Sequence, residues 1–291
     1  MGDLPERIES AARGAAAITG TTTLAGIIGW PVEQSLSPVI HNAAYAALGL
    51  DWAYVPLAVG PDSLLTALAG LRAMGFAGAN VTMPHKEEAA GASATLSEDA
   101  ELVGAVNTLV VESEGLDGHN TDVAGFARFL EQDAGFHAAG RSAVIFGAGG
   151  AARACLAALQ RAGAGSVTIV ARDQRKATRA PIAGTEGNVR VVGWSEPPAE
   201  HADLIVNATP VHGDLLPLPP LAEGQIVVDL MYRPTVTPLV ARARTTGATA
   251  FTGLGMLLHQ AALSFELWTG HVAPLDVMSA AALAELGPAA A

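Results

Sequence analysis

Residues 143–162 read AVIFGAGGAARACLAALQRA: a short apolar run, a cluster of glycines and a stretch rich in alanine and leucine. The apolar run predicts a buried strand over 143–146, and the stretch after the glycines predicts a helix over 151–162. Between them, Gly147 allows a tight turn and Gly149 lets a pyrophosphate approach the backbone, while the helix N-terminus offers unpaired amides. This order of strand, turn and helix therefore predicts a dinucleotide-binding α/β unit.

The end of the next predicted strand, 167–170, indicates which dinucleotide the unit takes. NAD sites carry a carboxylate near this strand end for the ribose 2′-hydroxyl, whereas Asp173 lies beyond the last residue expected in the strand. Arg172 comes first, with Arg175 and Lys176 close behind it. These cations suit the 2′-phosphate of NADP, so the pattern favours NADP over NAD.

Short apolar runs alternate with longer amphipathic stretches on both sides of this unit. Repeated β-α-β patterning of this kind predicts an α/β fold. The predicted strands form two series, 23–28, 53–57, 78–82 and 108–111, then 143–146, 167–170, 189–192, 204–206 and 226–229. Helices are predicted over 38–48, from Asp62 or Ser63 to about Met74, from near His85, and over 122–131, 151–162, 256–269 and 277–286.

Charge and composition limit the partners that the protein can have. The 291 residues carry 16 Lys and Arg against 28 Asp and Glu, a formal net charge of −12, so neither nucleic acid nor an anionic membrane is expected as a partner. No apolar run is long enough to predict a membrane span, and no secretory signal opens the sequence. The scattered histidines form no metal-ligand pattern. The lone Cys155 fits a reducing compartment, so we expect a cytoplasmic protein.

Three polar segments stand out in the apolar first half: Ser35–Pro38, Asn80–Lys86 and Gly118–Asp122. Taken singly, each has a structural interpretation: a serine of Ser35–Pro38 can cap a helix, and Gly118–Asp122 can form a turn with Asp122 near a helix start. Taken together, their serines, asparagines and threonine suit a polyhydroxylated small molecule. Lys86 and Asp122 add an ionisable pair, which can carry the proton transfer that accompanies hydride transfer to a carbonyl group.

Further motifs extend this pattern along nearly the whole chain, from about Gly26 to Leu286. They are Gly29–Val32, Ser35–Asn42, Asn80–Lys86, Gly104–Thr108, Gly118–Asp122, Gly147–Ala151, Asn207–Pro210, Asp229–Pro234, Thr237–Pro238 and Gly255–Gln260. In this order they resemble the shikimate/quinate dehydrogenase family. The resemblance implies a discontinuous α/β substrate-binding domain, 1–121 plus 255–291, and a Rossmann-type NADP-binding domain, 122–254.

The resemblance also implies the reaction, a reversible NADPH-dependent reduction of 3-dehydroshikimate to shikimate in aromatic amino-acid precursor biosynthesis. Lys86 and Asp122 then correspond to the catalytic pair. The implied substrate-binding residues are Ser35, Ser37, Asn80, Thr82, Lys86, Asn107, Asp122, Tyr232 and Gln260, with the two serines at the substrate carboxylate. The implied cofactor-binding residues are Gly147, Ala148, Gly149, Gly150, Ala151, Arg172, Lys176, Thr209, Gly253 and Met256.

Two other functions stay open at this point. An NAD-preferring quinate/shikimate dehydrogenase is one, because residues 171–173 read Ala-Arg-Asp where the family usually has Asn-Arg-Thr. The retention of both Ser35 and Ser37 favours shikimate, since the bulkier C1 substituents of quinate would press on that end of the site. The other is a non-catalytic paralogue, which loss of Lys86 or Asp122 would mark, and both are present. Monomer and homodimer are equally compatible with the resemblance.

Overall fold

The computed structural model describes residues 18–178, 187–196, 198, 201–211 and 215–287, without the side chains of Lys176 and Thr178. In this part of the chain there are two six-stranded sheets, one for each predicted series of strands. The predicted α/β class is therefore confirmed. None of the helices in these ranges has both the length and the apolar character needed to cross a membrane.

The first sheet contains strands β1 (Thr23–Gly29), β2 (Trp52–Ala58), β3 (Gly78–Val81), β4 (Thr95–Leu96), β5 (Thr108–Val111) and β6 (Leu116–His119). Their order is β2-β1-β3-β5-β6-β4. Strand β1 is parallel to β2 and β3, whereas β5 is antiparallel to β3 and β6. The helices of this part are α1 (Ser37–Ala47), α2 (Leu64–Ala73), α3 (Lys86–Ala92), α4 (Glu98–Val103) and α5 (Thr121–Arg128), with a 3₁₀ turn at Pro61–Ser63 and a π turn at Phe129–Asp133.

The second sheet contains strands β7 (Ser142–Phe146), β8 (Ser166–Ala171), β9 (Val189–Gly193), β10 (Leu204–Asn207), β11 (Ile226–Asp229) and β12 (Thr249–Thr252). All are parallel, in the order β9-β8-β7-β10-β11-β12. This is the doubly wound order whose ligand crevice lies at the switch point, here between β7 and β10. Its helices are α6 (Gly150–Arg161), α7 (Gln174–Thr178) and α8 (Pro238–Thr245), and the chain continues into α9 (Leu254–Thr269) and α10 (Leu275–Leu286).

The structure corrects one interpretation and adds elements that the sequence pattern does not predict. The segment Gly118–Asp122, interpreted as a turn with Asp122 near a helix start, holds the end of β6, while Asp122 does lie in the first turn of α5. Strand β6 has four residues, of which only Leu116 is a large apolar one, so its sequence pattern is too short to predict a strand. No prediction covered β4, β12, α7 or α8 either, because these short elements also lack a clear apolar period.

Helix α9 returns to the first sheet and crosses α5. A Cβ atom on Gly125 would lie 2.8 Å from the backbone nitrogen of Gln260, so the two helices approach closely only because position 125 has no side chain. Beyond this crossing, Ala261 and Phe265 of α9 are fully buried in one core cluster with Ile40 of α1. The crossing places Gln260, from near the end of the chain, beside Asn107 and Gly125 of the first half of the chain.

Candidate active site

A cavity of about 270 Å³ lies where the carboxyl ends of β1 and β3 face the first turn of α6. Every residue predicted to bind substrate lines it: Ser35, Ser37, Asn80, Thr82, Lys86, Asn107, Asp122, Tyr232 and Gln260. Of the predicted cofactor-binding residues, Ala151, Gly253 and Met256 line the same cavity. Residues predicted to bind substrate and residues predicted to bind cofactor therefore line one cavity.

Lys86 and Asp122 form an ion pair in this cavity. The Lys86 Nζ atom donates to Asp122 Oδ2 at 2.7 Å. Lys86 begins α3, and Asp122 lies in the first turn of α5, where the helix dipole stabilises a carboxylate. The side chain of Asp122 is 7% exposed and that of Lys86 is 21% exposed. The carboxylate is thus held in the wall, while the ammonium group keeps access to the cavity.

The second oxygen of Asp122 is also held. Asn107 Nδ2 donates to Asp122 Oδ1 at 2.9 Å and to Gln260 Oε1 at 3.2 Å. Asn120 caps α5, since its Oδ1 accepts from the Asp122 backbone amide at 3.1 Å, and its Nδ2 donates to the Ala105 carbonyl at 2.8 Å. Backbone and side chain of Asp122 are therefore both fixed, which fixes the position of the lysine that it contacts.

The two serines lie at the start of α1, and the structure does not support the simple capping interpretation. Leu36 occupies the N-cap position without a side-chain hydrogen bond, while Ser35 Oγ accepts from the Ser37 amide at 3.2 Å. Tyr232 reaches the same end of the cavity from the loop after β11, where it lies close to the backbone of Leu36. Burial raises the pKa of Tyr232, so its hydroxyl remains a neutral donor.

The glycine loop has the geometry that a pyrophosphate needs. Gly147 has φ +118°, and a Cβ atom there would lie 3.0 Å from the Ala208 carbonyl oxygen. Gly149 caps α6 without any side chain over the helix N-terminus, and a Cβ atom on it would meet nothing within 4 Å. The first amides of α6 are therefore open to an anion. On the next residue, Gly150, a Cβ atom would lie 3.5 Å from Lys86 Cδ, so the loop directly adjoins the ion pair.

Two further residues assigned to the cofactor, Thr209 and Arg172, do not line the cavity. Thr209 adjoins the glycine loop: a Cβ atom added to Gly147 would lie 3.2 Å from the Thr209 methyl carbon. Arg172 is exposed directly after β8, the strand next to the one that leads into the glycine loop. The side chain of Lys176 lies outside the described part of the structure. Arg172 and Thr209 thus lie, like the glycine loop, at the carboxyl ends of the strands of the second sheet.

Two arginines of α6 pair with carboxylates of the first half, and no sequence motif predicted them. Arg153 Nη2 donates to Glu87 Oε1 at 2.6 Å. Arg161 contacts Asp99, and its Nη2 donates to Glu98 at 3.3 Å. Because Glu87 follows Lys86 on α3, the first of these pairs holds the glycine-loop helix against the helix that carries the lysine.

A buried polar network behind the cavity was also missed. Ser264 Oγ lies 2.9 Å from Asn80 Nδ2 and 2.8 Å from Thr108 Oγ1. The Tyr54 hydroxyl donates to Asn80 Oδ1 at 2.7 Å. The one available signal for Ser264 was its spacing of one helical turn after Gln260, which puts both on the same face of α9. Nothing in the sequence pattern of β2 singles out Tyr54.

Two family models match parts of the chain. The model described as the shikimate dehydrogenase substrate binding domain matches residues 27–109. The model described as the shikimate 5'-dehydrogenase C-terminal domain matches residues 253–283. These two matches contain most of the residues that line the cavity, including Ser35, Lys86 and Gln260.

Curated proteins and solved structures match nearly the whole chain. The NADP(+) shikimate dehydrogenase of Citrifermentans bemidjiense is 44% identical over 282 residues, which cover 92% of this chain and 97% of that protein. A shikimate dehydrogenase crystallised with NADP+ superposes with a TM-score of 0.84 at 34% identity, covering 94% of this chain and 98% of its own. The Thermus thermophilus shikimate 5-dehydrogenase, solved with NADP(H) and shikimate, gives a TM-score of 0.78 at 35% identity, covering 90% and 98%.

Proposed function

The chain belongs to the shikimate dehydrogenase family, and from that premise we propose that its cavity carries out the reversible NADPH-dependent reduction of 3-dehydroshikimate to shikimate. One observation carries the proposal. The Lys86–Asp122 ion pair, at 2.7 Å, stands in a cavity lined by neutral hydrogen-bonding side chains and directly adjoins the glycine loop at Gly150. Proton transfer, substrate recognition and cofactor binding are thus available at one point.

The proton chemistry is assigned to the ion pair. When bound, NADPH supplies the hydride. As the carbonyl carbon of the substrate is reduced, its oxygen gains negative charge and then a proton. The Lys86 ammonium group stabilises that charge and donates the proton, and in the oxidation direction the neutral amine accepts it. Asp122 orients the lysine and offers an acceptor to a substrate hydroxyl.

Recognition of the substrate is assigned to the rest of the wall. Ser35 and Ser37 bind the carboxylate with neutral donors, and Asn107 and Gln260 bind ring hydroxyls. Such groups select a hydroxylated substrate, since an analogue without a hydroxyl leaves a buried polar partner without its hydrogen bond. Asn80, Thr82 and Tyr232 complete the substrate set.

The dinucleotide is assigned to the glycine loop and the adjoining strand end. The open amides after Gly149 hold the pyrophosphate, and Arg172 with Lys176 holds the 2′-phosphate. Thr209, Gly253 and Met256 are assigned to the nicotinamide end, and the exposure of Met256 to the substrate cavity supports this. Gly147, Ala148, Gly150 and Ala151 complete the cofactor set.

The 2′-phosphate assignment predicts the effect of Arg172→Ala. Loss of one charge-assisted contact should raise the KM for NADP+ roughly 10- to 100-fold and leave the KM for NAD+ within about twofold. Arg141→Ala is the matched control, because Arg141 precedes β7 at the opposite end of the sheet, where it pairs with Asp203. Steady-state kinetics with both cofactors measure the difference. Equal changes in the two KM values would refute the assignment.

The carboxylate assignment predicts the effect of Ser35→Ala. Removing one donor to a carboxylate should raise the KM for shikimate roughly 10-fold, with the KM for NADP+ unchanged. Ser63→Ala serves as the control, because Ser63 precedes α2 without a side-chain capping bond and does not line the cavity. Shikimate kinetics that stay at the wild-type level in Ser35→Ala would remove this serine from the site.

The direct test of the function is NADPH consumption on addition of 3-dehydroshikimate to the purified protein. We expect turnover, with the reverse reaction seen as NADPH formation from shikimate and NADP+. Absence of turnover in both directions, in protein that binds NADPH, would contradict the proposal.

We further propose the division into a substrate-binding domain, 1–121 plus 255–291, and a cofactor domain, 122–254. The sheets support it, since the strands of one lie within 23–119 and those of the other within 142–252. Helix α5 stands at the boundary and packs on both α6 and α9. We place the enzyme in the cytoplasm, as a monomer or homodimer, where the buried thiol of Cys155 stays reduced.

A further inference from the structure

We propose that the Tyr54 hydroxyl is a positioning group for the substrate site: it holds the side-chain amide of Asn80 in one orientation. Tyr54 is 2% exposed and does not line the cavity, so it acts through its neighbour and not by touching substrate. The inference deepens the proposed function and rests on it for its kinetic consequences, while the contact itself is independent of any activity.

The hydrogen bonds of Asn80 leave its amide one orientation. Its Oδ1 accepts from the Tyr54 hydroxyl at 2.7 Å. Its Nδ2 donates on the other side, to the Asn107 carbonyl at 3.1 Å and to Ser264 Oγ at 2.9 Å. A turned amide would set its oxygen against the carbonyl of Asn107, which can only accept, and the Tyr54 hydroxyl would lose Oδ1 as the acceptor of its proton. With Tyr54 in place, one lone pair of Oδ1 remains for a substrate hydroxyl.

The phenol also lies near the other part of the substrate wall. Ser37 is close enough to the Tyr54 hydroxyl to affect its pKa. Ser37 belongs to the carboxylate end and Asn80 to the ring-hydroxyl end of the cavity, and the hydrogen bond of the phenol goes to Asn80. Burial raises the pKa of Tyr54 well above its usual range, and the hydroxyl therefore keeps the proton that it donates.

Helix α1 holds Tyr54 at both its backbone and its ring. Asn42 Nδ2 donates to the Tyr54 carbonyl at 2.9 Å, and Asn42 Oδ1 accepts from the Tyr54 amide at 2.8 Å. The His41 ring stacks on the phenol ring with centroids 4.3 Å apart and planes 7° apart. Burial lowers the pKa of His41 to about 3, so this contact is between neutral rings. His41 and Asn42, the last two residues of the Ser35–Asn42 motif, thus hold Tyr54 in position.

The chain supplies a matched control in Tyr45. This residue lies on α1 in the same aromatic cluster, with its ring centroid 6.2 Å from that of His41. Its hydroxyl is buried and has no hydrogen-bond partner in the described part of the chain. Tyr45→Phe and Tyr54→Phe therefore remove the same atom from the same cluster, and only the second removes a hydrogen bond to the substrate wall.

The kinetic test compares these two variants and combines them with Asn80→Ala. Tyr54→Phe should lower kcat/KM for shikimate roughly tenfold, with the KM for NADP+ unchanged, while Tyr45→Phe matches the wild type. In the Asn80→Ala background, Tyr54→Phe should have no further effect, because its action passes through the amide. Wild-type kinetics for Tyr54→Phe, or an effect that is as large without Asn80 as with it, would overturn the inference.

A second measurement separates this inference from the proposed function. In protein labelled with ¹⁵N at asparagine, the side-chain NH₂ resonances of Asn80 should shift or broaden in Tyr54→Phe and stay in place in Tyr45→Phe. Unmoved resonances in Tyr54→Phe would overturn the inference even if the enzyme is active. Failure of the wild type to turn over shikimate would instead refute the function, and the spectrum would still decide the contact.

Discussion

Lys86→Ala should lower kcat for shikimate oxidation by roughly 10²- to 10⁴-fold, the range for loss of a general acid–base group. We propose that Lys86 exchanges the proton at the ion pair, and the adjacent His85 is not placed to replace it, because His85 is 1% exposed and its Nε2 contacts the Val59 carbonyl oxygen at 2.7 Å. Steady-state turnover measures the loss, and NADPH fluorescence titration should show cofactor binding preserved.

Lys86→Arg tests whether the site needs only the positive charge of the lysine or also its ability to release a proton. A guanidinium group keeps the positive charge beside Asp122 but does not release a proton in proteins. We therefore expect this variant to be impaired nearly as strongly as Lys86→Ala. Wild-type turnover in Lys86→Arg would mean that the site needs only the charge, and wild-type turnover in Lys86→Ala would remove the residue from the chemistry.

Asp122→Asn should lower kcat/KM for shikimate by roughly 10²-fold or more. The change keeps the shape of the side chain but places an amide against two donors, Lys86 Nζ and Asn107 Nδ2, which lie 2.7 and 2.9 Å from the carboxylate oxygens. The amide has one acceptor oxygen, so only one of the two donors can keep its partner, and the negative charge beside the lysine is lost. Steady-state kinetics with shikimate, together with the thermal midpoint, separate this effect from loss of fold.

The control for this variant is Asp117→Asn. Asp117 lies in β6, hydrogen-bonds to Thr95 and does not line the cavity, so its isosteric change should leave kcat/KM within about twofold. If Asp122→Asn matched this control, the carboxylate would have no part in orienting the lysine.

The fold could be predicted largely from the sequence, because its signals are local. The apolar strand, the glycines and the helix over 143–162 lie within 20 consecutive residues, and parallel strands with helices between them follow from the same alternation. Strand β6 escaped prediction because Leu116 is its only large apolar residue. Short strands of this kind are set by pairing with their neighbours, here β5, more than by their own pattern.

The site was predictable where its residues lie in motifs, and not where it depends on distant contacts. Lys86 and Asp122 could be paired from their chemistry, and their contact spans 36 positions in the chain. Ser264 meets Asn80 across 184 positions, and Arg153 meets Glu87 across 66. Such contacts exist only once α9 has packed against the first sheet and α6 against the helices of the first half, so no pattern in either segment indicates them.

The most direct test of the central claim is one set of steady-state rates: shikimate and quinate, each with NADP+ and with NAD+. Two serines, Ser35 and Ser37, line the cavity at the end proposed for the substrate carboxylate, and Arg172 is exposed directly after strand β8. We therefore predict the highest kcat/KM for shikimate with NADP+. A higher kcat/KM for quinate with NAD+, or no turnover of shikimate with either cofactor, would contradict the account.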